Sequence, residues 1–287
     1  MRPRRLPDDA SHRPSIWAFC IGSLAAIIVG AAVMARADIP TDIWIRNPIA
    51  WVIAAIVGAF TASRGWLGFP LIALVVLLIG ASLIGPGQEG VHRWVGAGPA
   101  QLNAAALALP LAIAVFTPER RWLAVSAFVA IGAVIAYQPD ISQLAALMLA
   151  SIVLFSTAFG WVGGLAALLV GGGLIAYCVL LRPDPLLPVE HVEGILALAA
   201  GQSQVSGVAL PVALGVACLS PLLLWRSADL RWRGLALAAY FSAAALAPLF
   251  GAYPVPLAGY GFSFVAGWVL GFAALATRKS INSLTLG

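Results

Sequence analysis

Charge is what this sequence most conspicuously lacks. Only 9% of its 287 residues are Asp, Glu, Lys or Arg, against roughly 25% in an ordinary soluble domain. So few charges cannot cover the surface of a water-soluble core of this size. Cysteine and histidine are equally scarce, at three each. Cys20, Cys178 and Cys218 all lie inside apolar runs, which argues against a disulfide framework or a zinc cluster and leaves them as core residues. His92 and His191 stand alone in separate polar stretches and make no metal site. No internal repeat or low-complexity linker interrupts the chain. There is also no basic helix interleaved with aromatics, so nucleic acid is excluded as a partner despite the net charge of +5.

What remains is hydrocarbon. Hydrophobic residues make up 62% of the chain, grouped in runs long enough to cross a bilayer core of roughly 30 Å. Lipid offers the backbone no hydrogen-bond partner, so spans must be helices or a closed barrel, and uninterrupted runs of Ala, Leu, Val and Gly point to helices. The expected fold is all-α and polytopic, with about ten spans near 15–34, 48–62, 66–84, 100–116, 122–137, 141–158, 161–181, 205–224, 234–251 and 257–277. A short tail over 1–14, one membrane domain over 15–277 and a second tail over 278–287 complete the organisation. Arg2, Arg4 and Arg5 precede the first run without a clear cleavage site, which reads as a retained helix.

Placing the amino terminus in the cytoplasm leaves only Arg36, Arg46, Arg93 and Arg182 of the sixteen basic residues outside. The positive-inside rule favours that orientation and puts both tails in the cytoplasm. Acids divide the other way, with Asp38, Asp42, Glu89, Asp140, Asp184, Glu190 and Glu193 outside. The basic balance is thus a topology signal, and membrane lipid is a sufficient partner for the inner arginines.

The candidates for chemistry fall on the outer face. The loop Gly90-Val91-His92-Arg93-Trp94-Val95-Gly96-Ala97-Gly98 sets an arginine beside a tryptophan. Arg93 can grip an anionic phosphate in bidentate fashion while Trp94 anchors the loop, or the two can serve as a snorkelling cation in an aromatic belt. Gln138-Pro139-Asp140 forms almost the entire connection between two spans. Pro139 and Asp140 suit a helix start, yet an ionisable group at that depth usually faces a cavity or a partner. The longest outer stretch holds Pro183, Asp184, Pro185, Glu190, His191 and Glu193. Glu190 and Glu193 would share a face if the stretch were a short helix. They suit acid–base work, a divalent cation carried with substrate phosphates, or a solvated polar surface. Finally, Pro254-Val255-Pro256-Leu257-Ala258-Gly259-Tyr260-Gly261-Phe262-Ser263 reads as a broken helix entrance or as a turn with close glycine packing, and Gly171, Gly172 and Gly173 read as packing positions.

In order along the chain, these pieces resemble the SEDS family of shape, elongation, division and sporulation proteins. Gly90, Arg93, Trp94, Val95 and Gly98 fit its Gly-x-x-Arg-Trp-Ile-x-x-Gly. Gln138, Pro139 and Asp140 match its Gln-Pro-Asp, and Pro256, Gly259, Tyr260, Gly261, Phe262 and Ser263 approximate its late Pro-x-x-Ser-Tyr-Gly-Gly-Ser. The resemblance covers residues 16 to 277. It implies a bacterial inner-membrane protein of peptidoglycan assembly, cell shape or division, which polymerises a lipid-linked disaccharide precursor outside the membrane. It further implies a substrate site at Arg93, Trp94, Gln138, Asp140 and Tyr260, no cofactor, and a single-pass penicillin-binding transpeptidase as partner.

Two departures bear on catalysis. Where the family continues Gln-Pro-Ser-Glu-x-x-Lys, this chain has Asn103, Ala104, Ala105, Ala106 and Leu109. Where it has Arg-Ile-Leu and then a catalytic aspartate, this chain has Gly194, Ile195 and Leu196, and a count of ten reaches Gln204. No acid lies between Glu193 and Asp229, so a proton-accepting role would fall to Glu190 or Glu193. A non-catalytic protein that binds the lipid carrier or scaffolds another envelope enzyme is the alternative. Transport is a third reading, and the scarcity of charge within the spans counts against it.

Overall fold

A computed structural model describes residues 12–64, 69–85, 87–97 and 100–276. Most of both tails, and Gly98 of the arginine-tryptophan motif, lie outside the described residues. Helices dominate: α1 (Arg13–Arg36), the single turn α2 (Thr41–Trp44), α3 (Arg46–Arg64), α4 (Phe69–Ala81), α5 (Ala104–Val115), α6 (Arg121–Tyr137), α7 (Ile141–Phe159) and α8 (Trp161–Leu181). The short α9 (Ile195–Gln202) leads into α10 (Gln204–Leu219), followed by α11 (Arg231–Leu246) and α12 (Phe262–Ala276).

A helical segment occupies each stretch expected to span, and six helices are long and apolar enough to cross a membrane. Leucines and isoleucines on α3 and α8, among them Ile56, Leu169 and Leu180, face outward with no protein cover. Such a surface is stable only against lipid, and the chain is a multi-pass membrane protein.

Several boundaries differ from expectation, each for a local reason. Residues 100–103 are not the start of a span. They form strand β2 (Ala100–Asn103), paired antiparallel with β1 (Trp94–Ala97), so that Trp94 faces Asn103. Asn103 then caps α5 by accepting the Ala106 N–H at 2.9 Å, which is where the helix begins. Residues 257–261 are a turn, and α12 starts only at Phe262. Glu190 and Glu193 sit on a tight turn closed by Val192 and Glu193 N–H groups on the Val189 carbonyl. The short helix of that region is α9, further along.

Aromatic stacking and glycine contacts hold the bundle centre together. Phe19 of α1 lies 4.1 Å from Phe272 of α12, nearly parallel, and Phe241 of α11 lies 4.0 Å from Trp268. On the neighbouring face of α12, Gly267 and Gly271 bring its backbone against α5. A Cβ on Gly267 would fall 2.1 Å from the Ala106 carbonyl oxygen, and one on Gly271 would fall 2.4 Å from Pro110 Cβ. This Gly-x-x-x-Gly spacing replaces side-chain packing with direct backbone approach. Among the glycines 171 to 173 only Gly171 meets a neighbour, Met148, while Gly172 and Gly173 face open space. Between α7 and α11, the Tyr240 hydroxyl donates to Gln143 Oε1 in a fully buried hydrogen bond. All three cysteines are free thiols, with Cys178 and Cys218 buried.

The glycine contacts predict a contrast. Gly267→Val forces α12 off α5 and lowers stability by about 1–3 kcal/mol, the usual cost of overpacking. Gly172→Val points into open space and leaves the thermal unfolding midpoint in detergent unchanged. Equal midpoints for the two variants would contradict the packing described.

Candidate functional site

The polar residues of the outer end gather around one buried guanidinium. The α6 helix ends at Tyr137 and α7 begins at Ile141, so the chain reverses within three residues. That reversal leaves the carbonyls of the turn itself, at Gln138 and Pro139, without helical donors, at a depth where water is scarce. Arg93, arriving from the loop before β1, supplies them. Its Nε donates to the Gln138 carbonyl at 2.9 Å and its Nη2 to the Pro139 carbonyl at 2.8 Å. A cation is also the charge that a helix carboxyl end favours. Arg182 does the same one step away, donating from Nε to the Tyr137 carbonyl at 2.6 Å and lying 4.1 Å over the Tyr137 ring.

A buried arginine requires counter-charge. Arg93 Nη2 meets Asp184 Oδ2 at 2.5 Å, and Nε lies 3.9 Å from Asp140 Oδ2. Asp140 is itself an N-cap, accepting the Gln143 N–H at 3.2 Å and the Ser142 hydroxyl at 2.8 Å. The Asn103 amide reaches Asp140 Oδ2 at 3.4 Å. Asp184, held between two prolines, accepts the Leu186 N–H at 3.1 Å on its other oxygen. Gln138 packs inward, donating to the Ser82 hydroxyl at 2.5 Å. Three expected site residues, Arg93, Gln138 and Asp140, are therefore in direct contact. Trp94 follows them into β1, half-buried. Asn103, standing where the family motif continues toward its glutamate, links the ion cluster to α12 because its N–H donates to the Ser263 hydroxyl at 2.8 Å.

Tyr260 belongs to a second, adjacent cluster. Its hydroxyl accepts from Arg46 Nη1 at 2.7 Å, and its N–H donates to the His191 carbonyl at 3.0 Å. Asn47, fully buried at the start of α3, donates to the Leu257 and Gly259 carbonyls and accepts the Gly261 N–H at 3.2 Å. One asparagine thus satisfies three backbone groups of the turn. The turn supports the outer loop in its own right, since the Val255 N–H donates to the Val192 carbonyl at 3.2 Å. A Cβ on Gly259 would lie 2.4 Å from that same carbonyl oxygen.

The two glutamates differ. Glu190 is exposed. Glu193 accepts the Val189 N–H at 2.7 Å; burial raises its pKa above the ordinary 4.5, while that hydrogen bond and the charge of Arg93 act to lower it and Asp184 to raise it. Burial lowers the His191 pKa below 6.5, with Glu190 opposing, so the ring is neutral at pH 7. No group of three or more metal-ligating side chains occurs among the described residues. The sequence places Asp184, Arg182 and Arg46 on the outer side without assigning their partners, and it gives Asn47 no role. The available signal for Asp184 was an acid clamped between prolines on the same face as an arginine that needs a counter-ion. Nothing local distinguishes Asn47.

No protein-family model matches the sequence, and no curated protein sequence matches it. Solved structures do match. The rod shape determining protein RodA of Thermus thermophilus superposes with a TM-score of 0.68 at 19% identity, covering 91% of this chain and 95% of that one. An aspartate-to-alanine mutant of the same protein gives 0.67 at 19% identity, covering 91% and 96%. A chain from a peptidoglycan synthase complex, solved to show how polymerization and crosslinking are coordinated, gives 0.64 at 20% identity, covering 91% and 97%. The chain has a SEDS/RodA-like fold, as its Arg-Trp, Gln-Pro-Asp and Pro-Gly-Tyr-Gly segments anticipated.

Proposed function

We propose that this chain is a SEDS-like protein of the bacterial inner membrane that serves peptidoglycan assembly, in cell shape or division, by binding a lipid-linked disaccharide precursor at its outer face. The observation that carries this reading is the convergence of Arg93, the Gln138–Asp140 junction and the loop after α8 at one end of a RodA-like bundle. Both termini are then cytoplasmic. A single-pass penicillin-binding transpeptidase is the fitting partner, since one structural neighbour comes from a peptidoglycan synthase complex.

Charge balance shapes how such a ligand binds. Arg93 carries one positive charge and faces two carboxylates, so the cluster is net negative. A diphosphate gains Arg93 only by displacing Asp184 from Nη2, which means lifting the Pro183–Pro185 segment. No cofactor is needed, although a divalent cation arriving with the diphosphate offsets the two carboxylates. Trp94, Gln138 and Tyr260 line the same outer end.

Glycosyl transfer also needs a base for the attacking sugar hydroxyl. Glu193 is the better placed of the two glutamates, because burial moves its pKa upward toward neutrality and its carboxylate lies close enough to Arg93 to feel that charge, whereas Glu190 is exposed. The competing reading is a non-catalytic protein that holds the carrier or scaffolds another envelope enzyme. The Glu193 hydrogen bond to its own loop and the exposure of Glu190 favour it.

Native mass spectrometry with a lipid-linked disaccharide precursor tests the binding site. Asp184→Asn increases retained precursor because Nη2 becomes available, and unchanged or reduced retention would contradict displacement. Arg93→Ala strands Asp140 and Asp184 and lowers stability by about 3 kcal/mol, so the unfolding midpoint must be read beside its loss of retention. A second measurement, polymer formation against pH, separates the two readings. If Glu193 is the base, activity rises with pH as Glu193 loses its proton, the rise lies above the ordinary 4.5, and Glu193→Gln lowers the rate by about 10²–10⁴-fold with binding intact. Bound precursor without polymer from the unsubstituted protein would establish the non-catalytic reading.

A further inference from the structure

Far from the outer cluster, α6, α7 and α8 enclose a groove of about 260 Å3. Its floor is α7, through Leu147, Met148 and Phe155, and its walls are Val125 and Val129 of α6 and Val170 of α8. Ser151 contributes the sole hydroxyl among the lining residues. Three links between α6 and α8 close the outer end. Leu174 reaches Gly132 so nearly that a Cβ there would lie 3.1 Å from Leu174 Cδ1. Cys178 Sγ donates to the Ala136 carbonyl at 3.4 Å, and Arg182 clasps Tyr137.

The opposite end carries cations. Arg121 lies 5.2 Å over the ring of Phe159 and donates from Nη1 to the Ala158 carbonyl at 3.2 Å. Phe159 is itself a lining residue, as is Trp122, which is 68% exposed beside it. Arg120 precedes them, and Glu119 is the single acid in the same turn. An arginine pair with an exposed tryptophan marks the membrane interface on the side that the positive-inside rule assigns to the cytoplasm.

Dimensions limit the occupant. The lining runs from Trp122 to Gly132 on α6, about 15 Å at 1.5 Å per residue, and from Leu144 to Phe159 on α7, about 22 Å. The hydrocarbon core is roughly 30 Å thick. The groove is therefore one leaflet deep and slightly more, open at its basic mouth and shut above. A through passage is excluded, and water gains almost nothing from entering. A saturated or singly unsaturated chain rooted in the inner leaflet matches in depth and polarity, and the mouth adds a preference for negative headgroups. We propose that this groove binds one acyl chain of an anionic phospholipid of the inner leaflet, with its phosphate held at Arg121. Binding there fixes the spacing of α6 and α8, whose outer ends bear on the Arg93 cluster through Tyr137 and Arg182. The site is independent of the precursor-binding reading.

The test uses the full chain in vesicles containing a phosphatidylglycerol with a diazirine midway along one acyl chain, with adducts mapped by mass spectrometry after illumination. Adducts are expected on the walls of the groove. Excess unlabelled phosphatidylglycerol should suppress them about fivefold more than the same excess of phosphatidylcholine, the preference expected from one arginine. Arg121→Gln should abolish that preference. Val129→Trp and Val170→Trp fill the groove from its walls, where both residues are about half exposed, and each should remove the groove adducts while those on outward residues of α3 persist. The α3 adducts report that a variant is folded, and two filling variants guard against one that is not. Uniform labelling of α3 and groove, equal competition by the two lipids, or groove adducts that survive both tryptophans would each overturn the proposal.

Discussion

A reversal of the chain at bilayer depth, between α6 and α7, is the constraint on which the outer end depends. Three residues suffice for the turn only because Arg93 donates to the carbonyls it exposes, across 45 and 46 residues of sequence. In water those carbonyls would be solvated. Near hydrocarbon each unsatisfied group costs several kcal/mol, and a guanidinium with five donors can satisfy two carbonyls and still reach a carboxylate. The cation then needs anions, and these come from elements that require fixing for other reasons. Asp140 is the N-cap of α7, and Asp184 anchors the start of the outer loop 91 residues away. One side chain thereby determines where a hairpin, a helix pair and a loop meet.

The turn before α12 solves the same problem without charge. Prolines and glycines break the helix there, and Asn47 supplies both donor and acceptor to the broken backbone. An amide needs no counter-ion, so this clamp is buried without a charged partner, whereas Arg93, also buried, is paired with Asp140 and Asp184. Tyr260, in the same turn, is half-buried and accepts from Arg46.

Much of this was legible in the residues. Long apolar runs and the uneven distribution of arginine gave the polytopic helical fold, and Arg93 and Asp140 stood out because isolated charges beside hydrocarbon must have partners. What stayed hidden was pairing. Nothing in the string assigns Asp184 rather than Glu190 or Glu193 to Arg93, since the choice depends on how Pro183 and Pro185 turn the loop. Strand β2 reads as the opening of a span because Ala100, Leu102 and Ala104 are apolar, while Asn103, a good helix cap, marks the true start of α5. Gly267 and Gly271 are Gly-x-x-x-Gly neighbours, yet apolar glycine-rich runs occur throughout, so spacing alone could not separate them from Gly172 and Gly173, which touch nothing.

The departures from the SEDS motifs gain meaning from the same electrostatics. A glutamate and a lysine are absent together after the Arg-Trp pair, so their loss leaves the net charge of this face unchanged. Asn103 holds one end of that vacated segment by capping α5 and hydrogen-bonding Asp140, and the alanines after it let α12 approach through Gly267. In this chain the segment makes a dry helix contact. Among the described residues, Arg93 is the one cation ion-paired with both Asp140 and Asp184, and both acids compete for it. The Arg93–Asp184 ion pair rests on a proline-bounded loop segment, whereas the helices are fixed by the aromatic stack and the α5–α12 contact. A compact SEDS-like bundle of this kind concentrates its adaptability in a few residues of one loop, because that is where an ion pair can open without leaving a helix end unsatisfied.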